Sequence, residues 1–192
     1  MSAAPPAAEA DRWTPPDWSY NPSAHRERYI LAGLALVGCA IATYLALYQA
    51  GFYPTVWEPF FGHGSVTILH SAVARLLPIP DAALGAVGYA LDVLFGALGG
   101  RDRWRTAPWL VFAFGVVVAA LGVGSVLLVI LQPVAFGAWC TLCLCSAAIS
   151  INLAGPGLSE CLAAAQHLAR ERARGRSVWR ALWGCGDCAE EA

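Results

Sequence analysis

Apolar positions in this chain gather into four long runs, Ile30 to Ala50, Ala82 to Gly99, Ala107 to Leu131 and Phe136 to Leu153, with most polar residues in the stretches between them. Each run is close to the roughly 20 residues an α-helix needs to cross about 30 Å of hydrocarbon. A soluble core of such helices would need an amphipathic shell around it, and 192 residues leave none. The pattern predicts an all-α polytopic membrane protein, a four-transmembrane-helix bundle.

The connecting stretches add detail. After the first run, Phe52, Tyr53, Trp57, Phe60 and Phe61 form the aromatic mix of a headgroup boundary. Val66, Leu69, Val73, Leu76 and Leu77 recur at helical spacing behind Ser65. They predict a short interfacial helix in the first outer loop, N-capped by Ser65 and ended by Pro78 and Pro80. Gly85 and Gly88 in the second run, and Gly115, Gly122 and Gly124 in the third, suit close helix approach in lipid. Pro133 and Gly137 predict a tight turn before the fourth run, and Gly155-Pro156-Gly157 predicts its end. The expected organisation is a disordered cytoplasmic tail over 1–28, a membrane domain over 29–155 and a basic cytoplasmic helix and tail over 156–192.

Composition supports the membrane reading, with 58% hydrophobic residues against 13% charged. There is no lysine, and eleven of the twelve arginines fall at the start of the chain, between runs two and three, or after run four. By the positive-inside rule both termini are cytoplasmic, in the cell inner (plasma) membrane, and the loop from Gly51 to Asp81 faces outward. No nucleic-acid partner is expected.

Of seven cysteines, Cys140 and Cys143 form a Cys-x-x-Cys pair at the outer end of the fourth run. Residues three apart on a helix share a face and can close a disulfide. A helix N-terminus stabilises an anion, so Cys140 is expected to be the more reactive thiol. Cys143 lies about 4.5 Å deeper, within reach of an apolar molecule dissolved in the bilayer. The alternative is that both are small packing residues. Cys39 and Cys145 are mid-run packing candidates, and Cys161 an inert thiol. Cys185 and Cys188 form a second pair on the cytoplasmic side; two cysteines alone make an incomplete zinc site, and no metal is expected.

Three stretches carry a resemblance: Gly62-His63-Gly64-Ser65 through Leu69-His70-Ser71; Ile79-Pro80-Asp81-Ala82-Ala83-Leu84-Gly85 onward to Tyr89; and Trp139-Cys140-Thr141-Leu142-Cys143-Leu144-Cys145-Ser146. With them the chain resembles the bacterial branch of the vitamin K epoxide reductase family over roughly Ile30 to Leu153. The resemblance implies a four-helix bundle around a quinone, menaquinone or ubiquinone. The Cys140/Cys143 pair would pass two electrons between that quinone and a thioredoxin-like extracytoplasmic thiol protein. By position Cys143 would face the quinone and Cys140 would exchange with the incoming thiol. Asp81, Tyr89 and Ser71 match positions near the cofactor, with Asp81 standing where the family usually has a hydrogen-bonding asparagine. Typical members also carry a relay cysteine pair in the first outer loop, and Gly51 to Asp81 contains no cysteine. Direct exchange at an exposed Cys140 is then expected. His63 and His70 are weaker candidates for proton transfer, and Trp139 is either a membrane anchor or a lid.

The leading reading is therefore a quinone-linked thiol–disulfide oxidoreductase. The alternatives are a redox-inactive membrane scaffold that keeps the bundle, and the same chemistry run in reverse, reducing a quinone-like or epoxide substrate.

Overall fold

The computed structural model describes residues 13–71, 74 and 79–184, and among them every regular element is helical and none is a strand. α1 (His25–Gln49), α3 (Asp81–Ala97), α5 (Pro108–Leu131) and α6 (Thr141–Ala173) are the long elements. α2 (Gly64–Leu69), α4 (Arg103–Thr106) and α7 (Val178–Leu182) are short. α5 opens with Pro108 in its first turn, where a missing N–H costs nothing. It continues as a π turn over Gln132–Phe136 and stops at Gly137, whose φ of 57° ends the helix.

α1 packs on α3 and α6, and α5 packs on the same two, so the four close into a ring. Ala35, Ala42, Tyr89, Phe114, Val118 and Leu153 are buried at its centre. Large apolar side chains such as Leu36, Val87, Val116 and Ile151 stay exposed on the outside, as lipid-facing residues do. Among the described residues, three helical stretches are long and apolar enough to cross a membrane: His25–Gln49, Pro108–Phe136 and Thr141–Ala173. The protein is a multi-pass membrane protein by these features; α3, with 17 residues, is shorter.

Several expectations change. α6 runs unbroken for 33 residues through Gly155-Pro156-Gly157, so the helix expected within 156–192 is a continuation of the fourth run and not a separate element. In an apolar surrounding no water rewards the breaking of neighbouring backbone bonds, and a proline is carried within the helix. Gly157 helps hold it there, since a Cβ would lie 3.3 Å from Val118 Cγ1 on α5. The loop helix covers only Gly64–Leu69, with His63 at its N-cap position. Ser65 lies inside it and is no cap, because its hydroxyl donates to Glu58 instead. The rest of the expected helix falls on 72–73 and 75–78, outside the described residues, as do residues 1–12 of the expected tail.

From Trp13 onward that tail is folded, because it finds partners on other elements. Trp104 Nε1 donates to the Trp13 carbonyl (3.0 Å), Trp18 Nε1 to Gln166 Oε1 (2.8 Å) and Asn21 Nδ2 to the Arg101 carbonyl (2.9 Å). These contacts gather the start of α1, the α3–α5 connection and the second half of α6 at one end of the bundle. The described arginines of the three sequence groups lie toward that end, opposite the Cys140 end.

Candidate functional site

At the other end, a cavity of about 530 Å³ opens between α1, α3, α5 and α6. Its walls are mostly apolar, including Leu45, Leu69, Leu84, Leu121 and Leu128. Its polar groups are few: Asp81 and Tyr89 from α3, Ser125 from α5, and Cys143, Ser146 and Ser150 from α6. An apolar cavity with a small number of convergent polar groups suits a largely apolar ligand with a few polar atoms.

Cys140 and Cys143 form a disulfide with a Cα–Cα distance of 5.2 Å, inside the usual range. Cys140 is the N-cap of α6, and its Sγ accepts the Cys143 N–H at 3.1 Å. The helix N-terminus thus addresses that sulfur directly. Cys143 is half-buried and lines the cavity. Cys140 is not exposed, contrary to expectation; it is 0% accessible. Its N–H donates to Gln132 Oε1 (2.9 Å) from the π turn. α2 presses on the chain beside it so closely that a Cβ at Gly64 would overlap the Trp139 carbonyl.

Over this helix start sits Glu58. Its carboxylate accepts the hydroxyls of Ser65 and Thr141, the Thr141 N–H at 3.0 Å, and the N–H groups of Phe60 and Phe61 at 3.3 Å. Desolvation alone would raise this carboxyl, but the hydrogen bonds from Ser65 and Thr141 together outweigh it and hold the pKa at about 2. Glu58 does for α6 what an N-cap side chain usually does, from 83 residues away.

Asp81 opens α3 at the cavity edge, and Gln49 Nε2 donates to its Oδ1 at 2.6 Å. Gln49 also donates to the Leu69 carbonyl (3.3 Å), tying α1 to both α2 and α3. Tyr89 is buried, with its hydroxyl donating to the Ser146 carbonyl (2.6 Å) and lying 2.7 Å from Ser150 Oγ.

The structure thus brings together Cys140, Cys143, Asp81 and Tyr89. Ser71 stands apart and does not line the cavity: its hydroxyl accepts the Ala74 N–H at 3.3 Å in the turn after α2. His63 and His70 are exposed and also absent from the cavity wall, His70 standing edge-on to Tyr48 with centroids 5.6 Å apart. Trp139 is partly exposed and leans on Phe61, with ring centroids 6.4 Å apart. Cys145 is exposed on α6, while Cys39 and Cys161 are partly buried, their thiols near the carbonyls of Ala86 and Val111. Cys185 and Cys188 lie outside the described residues.

Glu58, Gln49 and Gln132 went unread in the sequence. Glu58 did carry a signal, as the only carboxylate from Gly51 to Pro80. Gln49 and Gln132 are lone amides at the ends of apolar runs.

Fold and site define a class: a multi-pass helical membrane protein whose cysteine pair meets an apolar cavity. Residues 29–155 match the model of the Vitamin K epoxide reductase family, and the chain belongs to that family. Its members are membrane oxidoreductases of thiol–disulfide and quinone chemistry. No curated protein matches the chain.

Proposed function

We propose that the protein is a quinone-linked thiol–disulfide oxidoreductase with Cys140 and Cys143 as its redox pair. The observation that carries this reading is that Cys143, bonded to Cys140, lines the same cavity as Asp81 and Tyr89. The cavity's volume and apolar walls fit a quinone ring, menaquinone or ubiquinone, which when bound supplies a two-electron acceptor.

A thiolate of a thioredoxin-like partner attacks Cys140 Sγ, forming a mixed disulfide and releasing Cys143 as the leaving thiolate. The partner's second thiolate attacks its own sulfur of that bond and leaves Cys140 reduced. The Cys143 sulfur faces the cavity, and the pair returns to the disulfide as two electrons leave through it. The Cys143 N–H and the helix start stabilise charge on Cys140. Gln49 orients Asp81 toward the cavity edge, and Tyr89 forms the polar floor. Ser71 contributes to the α2 turn in this scheme and makes no cofactor contact.

Because Cys140 is covered, a protein thiol reaches it only after Glu58 and the Trp139 stretch yield. α3, about 26 Å long at 1.5 Å per residue, completes a fourth crossing within the ring. Its neighbours on both sides are helices long and apolar enough to cross a membrane, which supports this reading. By the positive-inside rule the arginine end is cytoplasmic.

Burial of Cys140 and the cysteine-free loop favour the second reading, a redox-inactive scaffold. One experiment separates the two. Detergent-solubilised protein with a soluble quinone is expected to oxidise a reduced thioredoxin-like protein, with dependence on both Cys140 and Cys143. Quinone binding without thiol oxidation, across several thiol partners, leaves the scaffold.

A further inference from the structure

Beneath the cavity, buried polar groups continue along the bundle. Tyr89, Ser146 and Ser150 form its floor. One turn further along α3, about 4.5 Å on, Asp92 is 2% exposed and neither carboxyl oxygen has a hydrogen-bond partner. It borders a void of about 10 Å³, roughly the space that one water molecule needs. Cavity and void are one turn apart on both helices: Tyr89 and Asp92 on α3, Ser150 and Leu153 on α6.

The charged groups that border the void with Asp92 are Arg28 from α1, Arg103 from α4 and Glu160 from α6, all buried; α5 contributes Phe114, which does not titrate. Arg103 forms a two-pronged pair with Glu160, and Glu160 also accepts the hydroxyl of buried Ser23. Arg28 donates to the carbonyls of Gly96 (2.7 Å) and Gly99 (2.8 Å). Arg28 therefore spends its donors on backbone, and Asp92 is the one carboxylate of this group left without a bond.

An unpartnered carboxyl inside a membrane bundle, in line with polar groups on both sides, is the arrangement of a proton relay. We propose that Asp92 carries protons from the arginine-rich end of the bundle, by way of a water in the void, to the Tyr89–Ser150 hydroxyls at the cavity floor. This rests on the quinone reading above. Each turnover oxidises two thiols to one disulfide, giving two electrons and two protons; two electrons and two protons convert quinone to quinol. With this route, the thiol protons leave at the disulfide end and the quinol protons enter from the other, so turnover moves protons across the bilayer.

The test uses the full-length protein in vesicles with quinone in the bilayer, reduced glutathione outside as the impermeant thiol, and a pH dye in the lumen. Molecules whose disulfide end faces outward then turn over alone. The lumen is expected to become alkaline as quinone is reduced. Asp92→Asn should abolish that change and slow quinone reduction by at least about tenfold, while Asp92→Glu restores both. A quinone-free readout accompanies it: the infrared band of the protonated Asp92 carboxyl, assigned by its loss in Asp92→Asn, should shift in D2O. Quinone reduction without lumenal alkalinisation, or alkalinisation that survives Asp92→Asn, overturns the route alone. So does an Asp92 band that is absent at every pH or fails to shift. No quinone reduction by the native protein, with binding also absent, overturns the quinone reading together with it.

Discussion

The two ends of the bundle handle polar groups in opposite ways. At the arginine end, Arg28, Arg103 and Glu160 are sealed from solvent and bonded to one another or to the carbonyls that finish α3. In the cavity at the disulfide end, polar groups are few and they ring an open space instead of filling it. Buried charge is costly in lipid unless fully paired. The arginine end uses that cost to fix how the chain's start, the α3–α5 connection and α6 meet, while the cavity end keeps mostly apolar walls around an open space. One end is closed by paired charge, and the other leaves a space beside the disulfide.

Substitutions can break this contrast, beginning with the largest effect. Cys140→Ser is expected to reduce thiol oxidation to background, and Cys143→Ser to trap a mixed disulfide through Cys140, seen as a reducible band with the partner on a gel. Neither should change the thermal midpoint in detergent by much. At the other end the pattern inverts: Glu160→Ala strands Arg103 and is expected to cost about 3–5 kcal/mol of stability. Thermal unfolding in detergent checks it. If Glu160→Ala spares stability and only slows turnover, the division of labour between the ends fails.

Smaller changes sharpen the comparison. Tyr89→Phe removes the hydroxyl that bonds Ser146 and Ser150 and should cost about 1 kcal/mol, with weaker quinone binding in a titration. Glu58 makes a pH prediction. Its folded pKa of about 2 lies below the ordinary 4.5, so its contribution to holding the loop on α6 is full above about pH 4.5 and is lost as pH falls toward 2. The thermal midpoint should drop over that interval, and by less in Glu58→Gln. The smallest effect is expected from Asp81→Asn, which keeps a partner for Gln49 and should preserve or improve quinone binding. A strong loss would give the carboxyl a role of its own.

The hydropathy runs made the long helices legible, because a stretch long enough to cross lipid must be apolar on every side. The Cys140–Cys143 disulfide was legible because a three-residue spacing at a helix start brings the two sulfurs together locally. Pro156 was misread because Gly-Pro-Gly breaks helices in water, where freed backbone groups find solvent; packing of Gly157 on Val118 removes that escape. Glu58 and the Arg103–Glu160 pair were hidden for another reason. Their partners lie 83 and 57 residues away, and a lone polar residue in a sequence does not announce a distant partner. The covering of Cys140 follows from the same long-range contacts and was equally invisible.

Because α6 is continuous, it extends about 50 Å at 1.5 Å per residue, against about 30 Å of hydrocarbon. Its far turns, around Gln166 and Arg170, are tied to the chain's start through Trp18 and Asp17, and its first turn carries the disulfide. A label placed on the exposed side of those far turns, for example at Arg172, sits at a fixed separation from Cys143. The molecule therefore contains its own ruler, against which movement of the loop that covers Cys140 can be measured.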